Sequence, residues 1–353
     1  QELRSFFREL GVPTVEQRGG RIFPASENAQ DVIKALLAWS EEVGVELITE
    51  TRVEELLIND DQVQGVITSR GKYTAPAVIL ATGGKAYPGT GSTGDGIAFA
   101  RMAGHTIRPL RPSLVPLITE GNLAQELQGL SLSNILAIVY LDQEVSDQLF
   151  GELMFTHFGL SGPVILSLSR EIVIALDKGK NVQITIDLKP ALSDQTLDAR
   201  LLRDIQLLGA KQFSTLLSGL LPKKLIPICV KQTGIPWEKK NSQLSSDERK
   251  TLLRWLIYDF NFQVTGHKGF EQAIVTAGGV NTKEIDPQTL ESIRIKGLYF
   301  AGEILDVDAN TGGYNLQAAF STGWAAGRAA ESPRSRSSCT GQRSVMKDQQ
   351  VLR

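Results

Sequence analysis

Residues 297–317 read GLYFAGEILDVDANTGGYNLQ, and this stretch decides the fold. Leu298, Tyr299, Phe300 and Ala301 form a short apolar run with glycine on both sides, the pattern of a strand buried on both faces. Gly302 ends the run and Glu303 follows, which puts a carboxylate at a strand's carboxyl end, where α/β sheets bind ligands. Gly312 and Gly313 then precede Tyr314, Asn315, Leu316 and Gln317, and a small-residue helical pattern runs from Ala318 to Ala330. Paired glycines ahead of a helix let bare N–H groups and the positive helix end approach a ligand. A second apolar run, Ala77, Val78, Ile79, Leu80 and Ala81, stops at Thr82, Gly83 and Gly84. Taken singly, either glycine cluster reads equally well as a tight turn. Two of them, more than two hundred residues apart, favour one sheet interrupted by a large insertion, with a cofactor crevice at its strand ends.

The bulk numbers leave room for that reading. A chain of 353 residues buries a real core and divides into two domains. Its 42% hydrophobic and 22% charged content is ordinary for a globular protein. A net charge of -2 offers no general attraction for nucleic acid or an anionic membrane. Cys229 and Cys339 are far apart with no CxxC, as in a reducing cytoplasm, and this points to a cytoplasmic protein. No apolar stretch approaches the ~20 residues that span a bilayer, and the first residues are not a signal peptide. The chain opens at Gln1 inside a helix-like pattern of Leu3, Phe6, Phe7 and Leu10, as though cut from something longer.

Gly11 closes that helix and Pro13 prevents its return. The loop RGGRIFP (residues 18–24) sets Arg18 and Arg21 around a glycine pair; it reads as a solvated turn, with an anion-facing loop as the alternative. Ser26 is the expected N-cap of a helix carrying Ala29, Val32, Ile33, Leu36 and Leu37 up to Gly44. Val45, Leu47 and Ile48 predict a strand, Val53 to Ile58 a second and Val63 to Thr68 a third, with Asn59, Asp60 and Asp61 as the turn. Tyr73 to Ala75 lead into the buried strand ending at Thr82, so an antiparallel meander lies beside a parallel sheet.

Gly89, Gly91 and Gly94 fit GxGxxG literally, ahead of a short helix from Ile97 to Ala103. A dinucleotide fingerprint needs its strand to run straight into the first glycine and an acidic residue ~20 residues on. Here the strand ends at Ala81, and the region near Leu114 reads PSLVP, so a nicotinamide-binding role is the minor alternative. Walker A fails for want of a Gly-Lys-Ser/Thr.

From about residue 107 to residue 271 the character shifts to an inserted domain. Prolines 109, 112 and 116 break the chain; short strands are expected at 135–141 and 182–188, and longer helices at 197–221 and 247–260. Its most distinctive loop is THFGLSGP, residues 156–163. His157 and Ser161 lack an acidic orienter and a GxSxG elbow, so His157 reads as ordering the loop. His105 and His267 read as structural or exposed, and three scattered histidines make no metal site. Ile274, Val275 and Thr276 lead back into the first domain, which comprises residues 1–106 and 272–330; the polar, basic residues 331–353 are expected to be disordered.

With these motifs assembled, the chain resembles the aminoacetone-oxidase-like, BaiN-type family of FAD-dependent oxidoreductases from about Phe6 to Arg328. The carriers are RGGRIFP, ATGG (81–84), YPGTGSTGDG (87–96), THFGLSGP, TAGGV (276–280) and AGEILDVDANTGGYNLQ. The resemblance implies a mixed α/β fold: a Rossmann-type FAD-binding domain interrupted by a β-barrel-like domain with helices. It implies that Val53 meets the adenine and that Ala81, Thr82, Gly83 and Gly84 line the adenosine side. Gly302 and Glu303 would then approach the ribityl and pyrophosphate, while Gly312, Gly313, Tyr314, Asn315 and Leu316 present backbone to the isoalloxazine edge. N–H groups and a helix N-terminus stabilise an anionic reduced flavin.

One departure stands out: the family's opening βαβ unit, with its GxGxxG and ribose-binding acid, has no counterpart in these residues. The expectation is therefore that the chain as given is a fragment that binds FAD poorly and is inactive. The parent activity implied is hydride transfer through FAD on a small organic substrate at the domain junction, with NAD(P)H as a candidate electron donor. The rival expectation is a non-enzymatic remnant with a vestigial crevice.

Overall fold

The computed structural model describes residues 2–17 and 19–331. The chain begins with α1 (Glu2–Glu9) and a hairpin of β1 (Thr14–Gln17) and β2 (Arg21–Pro24). Gly19 and Gly20 turn that hairpin with φ of 82° and 72°, so the RGGRIFP loop is a hairpin turn; Arg18 lies outside the described residues. Next comes α2 (Ala29–Glu42). Its N-cap is Asn28, whose side chain accepts from the Gln30 N–H, and not Ser26. The Ser26 hydroxyl accepts from the Asn28 N–H at 3.3 Å, so it steadies the cap one step removed.

Strands β3 (Val53–Asn59), β4 (Gln62–Thr68) and β5 (Gly71–Thr74) make the expected antiparallel meander. β6 (Val78–Leu80) pairs in parallel with β15 (Leu298–Phe300), Leu298 opposite Val78 and Phe300 opposite Leu80. Meander and parallel pair are joined where Val63 N–H donates to the Lys296 carbonyl at 3.0 Å.

Two expectations need correction here. Residues 45–50 form no strand, and Val45 and Leu47 are exposed. Their apolar pattern has no strand edge to pair with among the described residues. β6 is not buried on both faces, because Ile79 is 37% exposed; β15 is its only ladder partner described.

After α3 (Asp95–Met102) and β7 (Ile107–Ser113), the chain enters a closed six-stranded barrel in the order β10-β11-β8-β13-β12-β9. Its strands are β8 (Leu117–Thr119), β9 (Ser131–Leu141), β10 (Glu144–Phe155), β11 (Gly159–Ser161), β12 (Val182–Asp187) and β13 (Asn261–His267). Between them run α4 (Leu123–Glu126), α5 (Pro163–Asp177), α6 (Asp194–Leu207), α7 (Phe213–Ser218), α8 (Leu225–Thr233) and α9 (Ser246–Arg254). The single helix expected over 197–221 is two, with Gly209 in the break and Gln212 bridged to Lys240. α9 carries a capping box of Ser245 and Glu248 and runs into a π-helical turn, Trp255–Asp259.

The chain leaves the barrel into β14 (Val275–Val280), antiparallel to β7, and the last described element is α10 (Gly312–Ala330). Two hydrophobic cores result. One fills the barrel and its helices, with Phe155, Trp255, Phe260 and Phe262 in ring contact. The other packs Val63, Leu80, Ala100, Val280, Leu298, Phe300 and Ile304 around the parallel pair. Each fully buried valine, leucine, isoleucine or phenylalanine among them contributes about 1.5–3 kcal/mol. Ala86, Val115, Val173 and Ala273 form a small third cluster.

Candidate functional site

Because β6 and β15 run parallel and side by side, their carboxyl ends open together. Ala301 N–H donates to the Leu80 carbonyl at 3.0 Å, which holds Ala81, Thr82, Gly83 and Gly84 beside Gly302 and Glu303. Thr276 of β14 ties the two ends. Its hydroxyl accepts the N–H of Lys85 at 2.7 Å and of Ala86 at 2.9 Å, and its own N–H donates to Glu303 Oε1 at 2.9 Å. Gly84 is required at this junction. A Cβ there would stand 2.5 Å from Glu303 Oε1 and against the Thr276 side chain.

The remaining residues named from the sequence attach to the same junction. Thr82 lies under Gly96 of α3, where any Cβ would meet its hydroxyl. Arg52 donates to Asp95 at the start of α3 at 3.2 Å, and so holds Val53, the first residue of β3, to the same helix. Gly83 has a φ of 71° and lies beside Ser92 Oγ. Gly302 has a φ of 77°; its N–H donates to Thr322 Oγ1 at 2.9 Å, and a Cβ on it would be 3.6 Å from the Cβ of Ala319. The end of β15 therefore lies directly on α10.

Gly312 and Gly313 occupy the first turn of α10, whose N-cap Thr311 supplies no side-chain hydrogen bond. The first N–H groups of a helix have no partner within it, and here no cap side chain takes them. Space at Gly313 is open, and Tyr314 and Leu316 are mostly exposed. Asn315 turns back instead: its Oδ1 accepts from Ala309 N–H and its Nδ2 donates to the Ala309 and Thr311 carbonyls. That loop is fastened to the insertion. Arg170 of α5 makes a two-pronged bond to Asp308 at 2.6 and 3.1 Å, and Ser167 donates to the Asn310 carbonyl.

The arrangement fits an FAD. Backbone is bare at Gly84 and Gly302, where a Cβ would press on Thr276 and Glu303 or touch Ala319, and at Gly313, where space is open beside an uncapped helix start. Glu303 Oε1 is committed to Thr276, which leaves Oε2 to accept from a hydroxyl. Thr276 escaped the sequence reading because one threonine in TAGGV carries no pattern. A cavity of about 530 Å³ beside α2, lined by Leu10, Pro13, Asp31 and Lys34, includes none of the strand-end residues.

The other sequence candidates fall outside the crevice. The THFGLSGP loop is ordered by Thr156, whose hydroxyl accepts from Gly159 N–H at 3.1 Å, rather than by His157, which is exposed. His105 is fully buried beside Glu284 and Ser292. Burial pushes the Cys229 thiol up to about 12, so it is inert; Cys339 and residues 332–353 lie outside the described residues. Among the described residues no helix is long and apolar enough to cross a membrane.

Fold and crevice together define a Rossmann-type, cofactor-binding α/β protein with a barrel inserted in it. The chain belongs to the family described as HI0933-like protein Rossmann domain, which it matches over residues 1–329, a family of FAD oxidoreductases. It is similar to the 3-dehydro-bile acid delta(4,6)-reductase of Clostridium scindens, with 35% identity over 93% of this chain and 80% of the relative. It is also similar to the ribosomal RNA dihydrouridine synthases of Haemophilus influenzae (31% identity, 91% of this chain and 77% of the relative) and Escherichia coli (30%, 89% and 75%). Among solved structures, E. coli quinol fumarate reductase FrdA aligns at 17% identity over 98% of this chain and 57% of that one, with a TM-score of 0.44.

Proposed function

We propose that this protein is an FAD-dependent reductase that adds hydride to a carbon–carbon double bond conjugated to a carbonyl group in a small organic substrate. The observation that carries the reading is the meeting of two bare strand ends at Thr276: Thr82, Gly83 and Gly84 on one side, Gly302 and Glu303 on the other. The names of the relatives support the substrate chemistry. A 3-dehydro-bile acid with delta(4,6) unsaturation and the uracil ring of a uridine both hold a double bond conjugated to a carbonyl. A net charge of -2 favours a small molecule over RNA.

FAD supplies the two-electron hydride chemistry, with NAD(P)H as its proposed donor. The protein's part is to bind and orient. Ala81, Thr82, Gly83 and Gly84, with Val53 at the start of β3, would hold the adenosine end, and Glu303 Oε2 a ribityl hydroxyl. Gly312, Gly313, Tyr314, Asn315 and Leu316 would offer backbone N–H groups and the helix dipole to the ring. The Arg170–Asp308 bond fixes the loop ahead of those amides. The test is to purify the full product of the gene and supply NADH or NADPH with a cyclic enone and, separately, a uridine-containing RNA. Loss of the enone absorbance with formation of the saturated ketone is expected. A flavin-loaded protein that leaves every enone untouched would overturn the reading.

A further inference from the structure

Ile274 is an apolar residue left in the open between two buried ones. Ala273 before it is fully buried in the small cluster with Ala86, Val115 and Val173, and Val275 after it begins β14 and is buried. Ile274 itself sits at a bend and is 54% exposed. Its N–H donates to the Leu114 carbonyl at 3.2 Å. Leu114 lies on the chain entering the barrel and Ile274 on the chain leaving it, so this bond ties the two crossings between the domains. Val115, next to Leu114, is held to α5, because the Ser169 hydroxyl accepts its N–H at 3.0 Å. With both neighbours buried and a β-branched side chain of restricted χ1, Ile274 is held outward in a fixed position.

That position is the start of α10. Ile274 Cγ2 lies 4.0 Å from where a Cβ on Gly312 would stand. Apart from chain neighbours and the backbone of α10, no other described residue comes within 4 Å of that point, and the space at Gly313 is open. Leu316 is one helical turn beyond Gly312 and hence on the same face, with its Cα–Cβ bond tilted back toward the helix start. It too is mostly exposed. The bare backbone of Gly312 and Gly313 is therefore a floor bordered by two exposed aliphatic side chains. A flat, uncharged ring suits such a place. It can lie on glycine backbone without meeting a Cβ, and it takes both side chains out of water.

We propose that Ile274 selects the substrate by width, walling the place over the first turn of α10 where the ring of an uncharged cyclic enone lies beside the flavin. This rests on the flavin reading above, which sets the isoalloxazine edge against the same turn. Ile274 lies on the linker returning from the insertion, a segment to which that reading gives no part of the cofactor, and so belongs to the side left for the substrate. A shorter side chain widens the place for a fused-ring enone and leaves a single ring less firmly aligned. A larger one closes it to fused rings first. Ile274 meets no reacting atom; its part is to fix how wide a ring can lie there.

The test uses the full gene product as wild type, Ile274→Ala and Ile274→Trp, with cyclohexenone as the single-ring enone and progesterone as the fused-ring one. Because Ile274 is exposed, all three forms are expected to fold alike and to hold the same amount of flavin. Dissociation constants are read from the change in flavin absorbance with no electron donor present, and kcat/KM from reduction with NAD(P)H. Ile274→Ala is expected to shift both ratios, of affinities and of kcat/KM, about tenfold toward progesterone. Ile274→Trp is expected to shift them about tenfold or more toward cyclohexenone. Unchanged ratios in both variants, with reduction intact, would overturn the role of Ile274 and leave the reductase reading standing. Shifted affinity ratios in a protein that reduces neither enone would uphold the wall and remove the reductase reading. Loss of flavin from Ile274→Ala would make this residue a cofactor contact and overturn the proposal.

Discussion

The carboxylate of Glu303 accepts the backbone N–H of Thr276 at 2.9 Å, so the end of β15 is tied to β14 by the same residue whose hydroxyl holds Lys85 and Ala86. One buried threonine thus sets the spacing of both strand ends. A crevice built this way has no slack for an added methyl group.

Gly84→Ala tests that directly. Its Cβ would press on Thr276 and stand 2.5 Å from Glu303 Oε1, and Glu303 is not free to swing away. We expect a loss of about 1–3 kcal/mol in urea unfolding and a weaker hold on flavin. Unchanged stability and unchanged flavin content would mean that the junction is looser than its hydrogen bonds imply.

Arg170→Met should loosen the loop ahead of α10. The guanidinium bond to Asp308 holds the Arg170 charge in place and raises its pKa, and the Asp308 side chain is 3% exposed. Leaving that carboxylate without its partner costs about 1–3 kcal/mol. Arg170→Lys restores only part, since an ammonium lacks the two-pronged fork. Proteolysis rates at the 306–311 loop read the outcome, and equal rates in all three proteins would refute it.

Acid should weaken the fold in two stages. Burial, against the opposing pull of Glu284, lowers the pKa of His105, so the folded state favours the neutral ring. That contribution is complete above the unfolded value of about 6.5 and falls away as pH drops below it. The Arg294 guanidinium first, then the Thr106 amide and hydroxyl, pull Glu284 down to about 2 against burial. Its contribution is complete above the unfolded carboxylate value of about 4.3 and is lost as pH falls toward the folded one. Urea midpoints between about pH 7.5 and about pH 3 should fall in both ranges. His105→Gln should flatten the upper range and Glu284→Gln the lower; a flat wild-type profile contradicts this account.

The parts of the molecule legible in the sequence are those with a local pattern. The run at 298–301 reads as a strand because its residues are apolar and glycine bounds it at both ends, and the meander reads from its turn at Asn59, Asp60 and Asp61. What escaped depends on distant partners. Val45 and Leu47 have the alternation of a strand, but no described edge receives them. Asn28 and Ser26 are both good caps, and the geometry of one turn chose between them. Thr276 joins two segments about 190 residues apart along the chain, a role no local reading could find.

The most direct measurement is the flavin content of the full gene product, taken from the visible spectrum and from FAD released on denaturation, in wild type and in Gly302→Val. At a φ of 77° a β-branched residue is strongly disfavoured, and its side chain would enter the space between β15 and α10. The account predicts near-stoichiometric FAD in wild type and little or none in Gly302→Val, with far-ultraviolet circular dichroism unchanged. A colourless wild type, or a folded Gly302→Val that keeps its full complement of FAD, would contradict it.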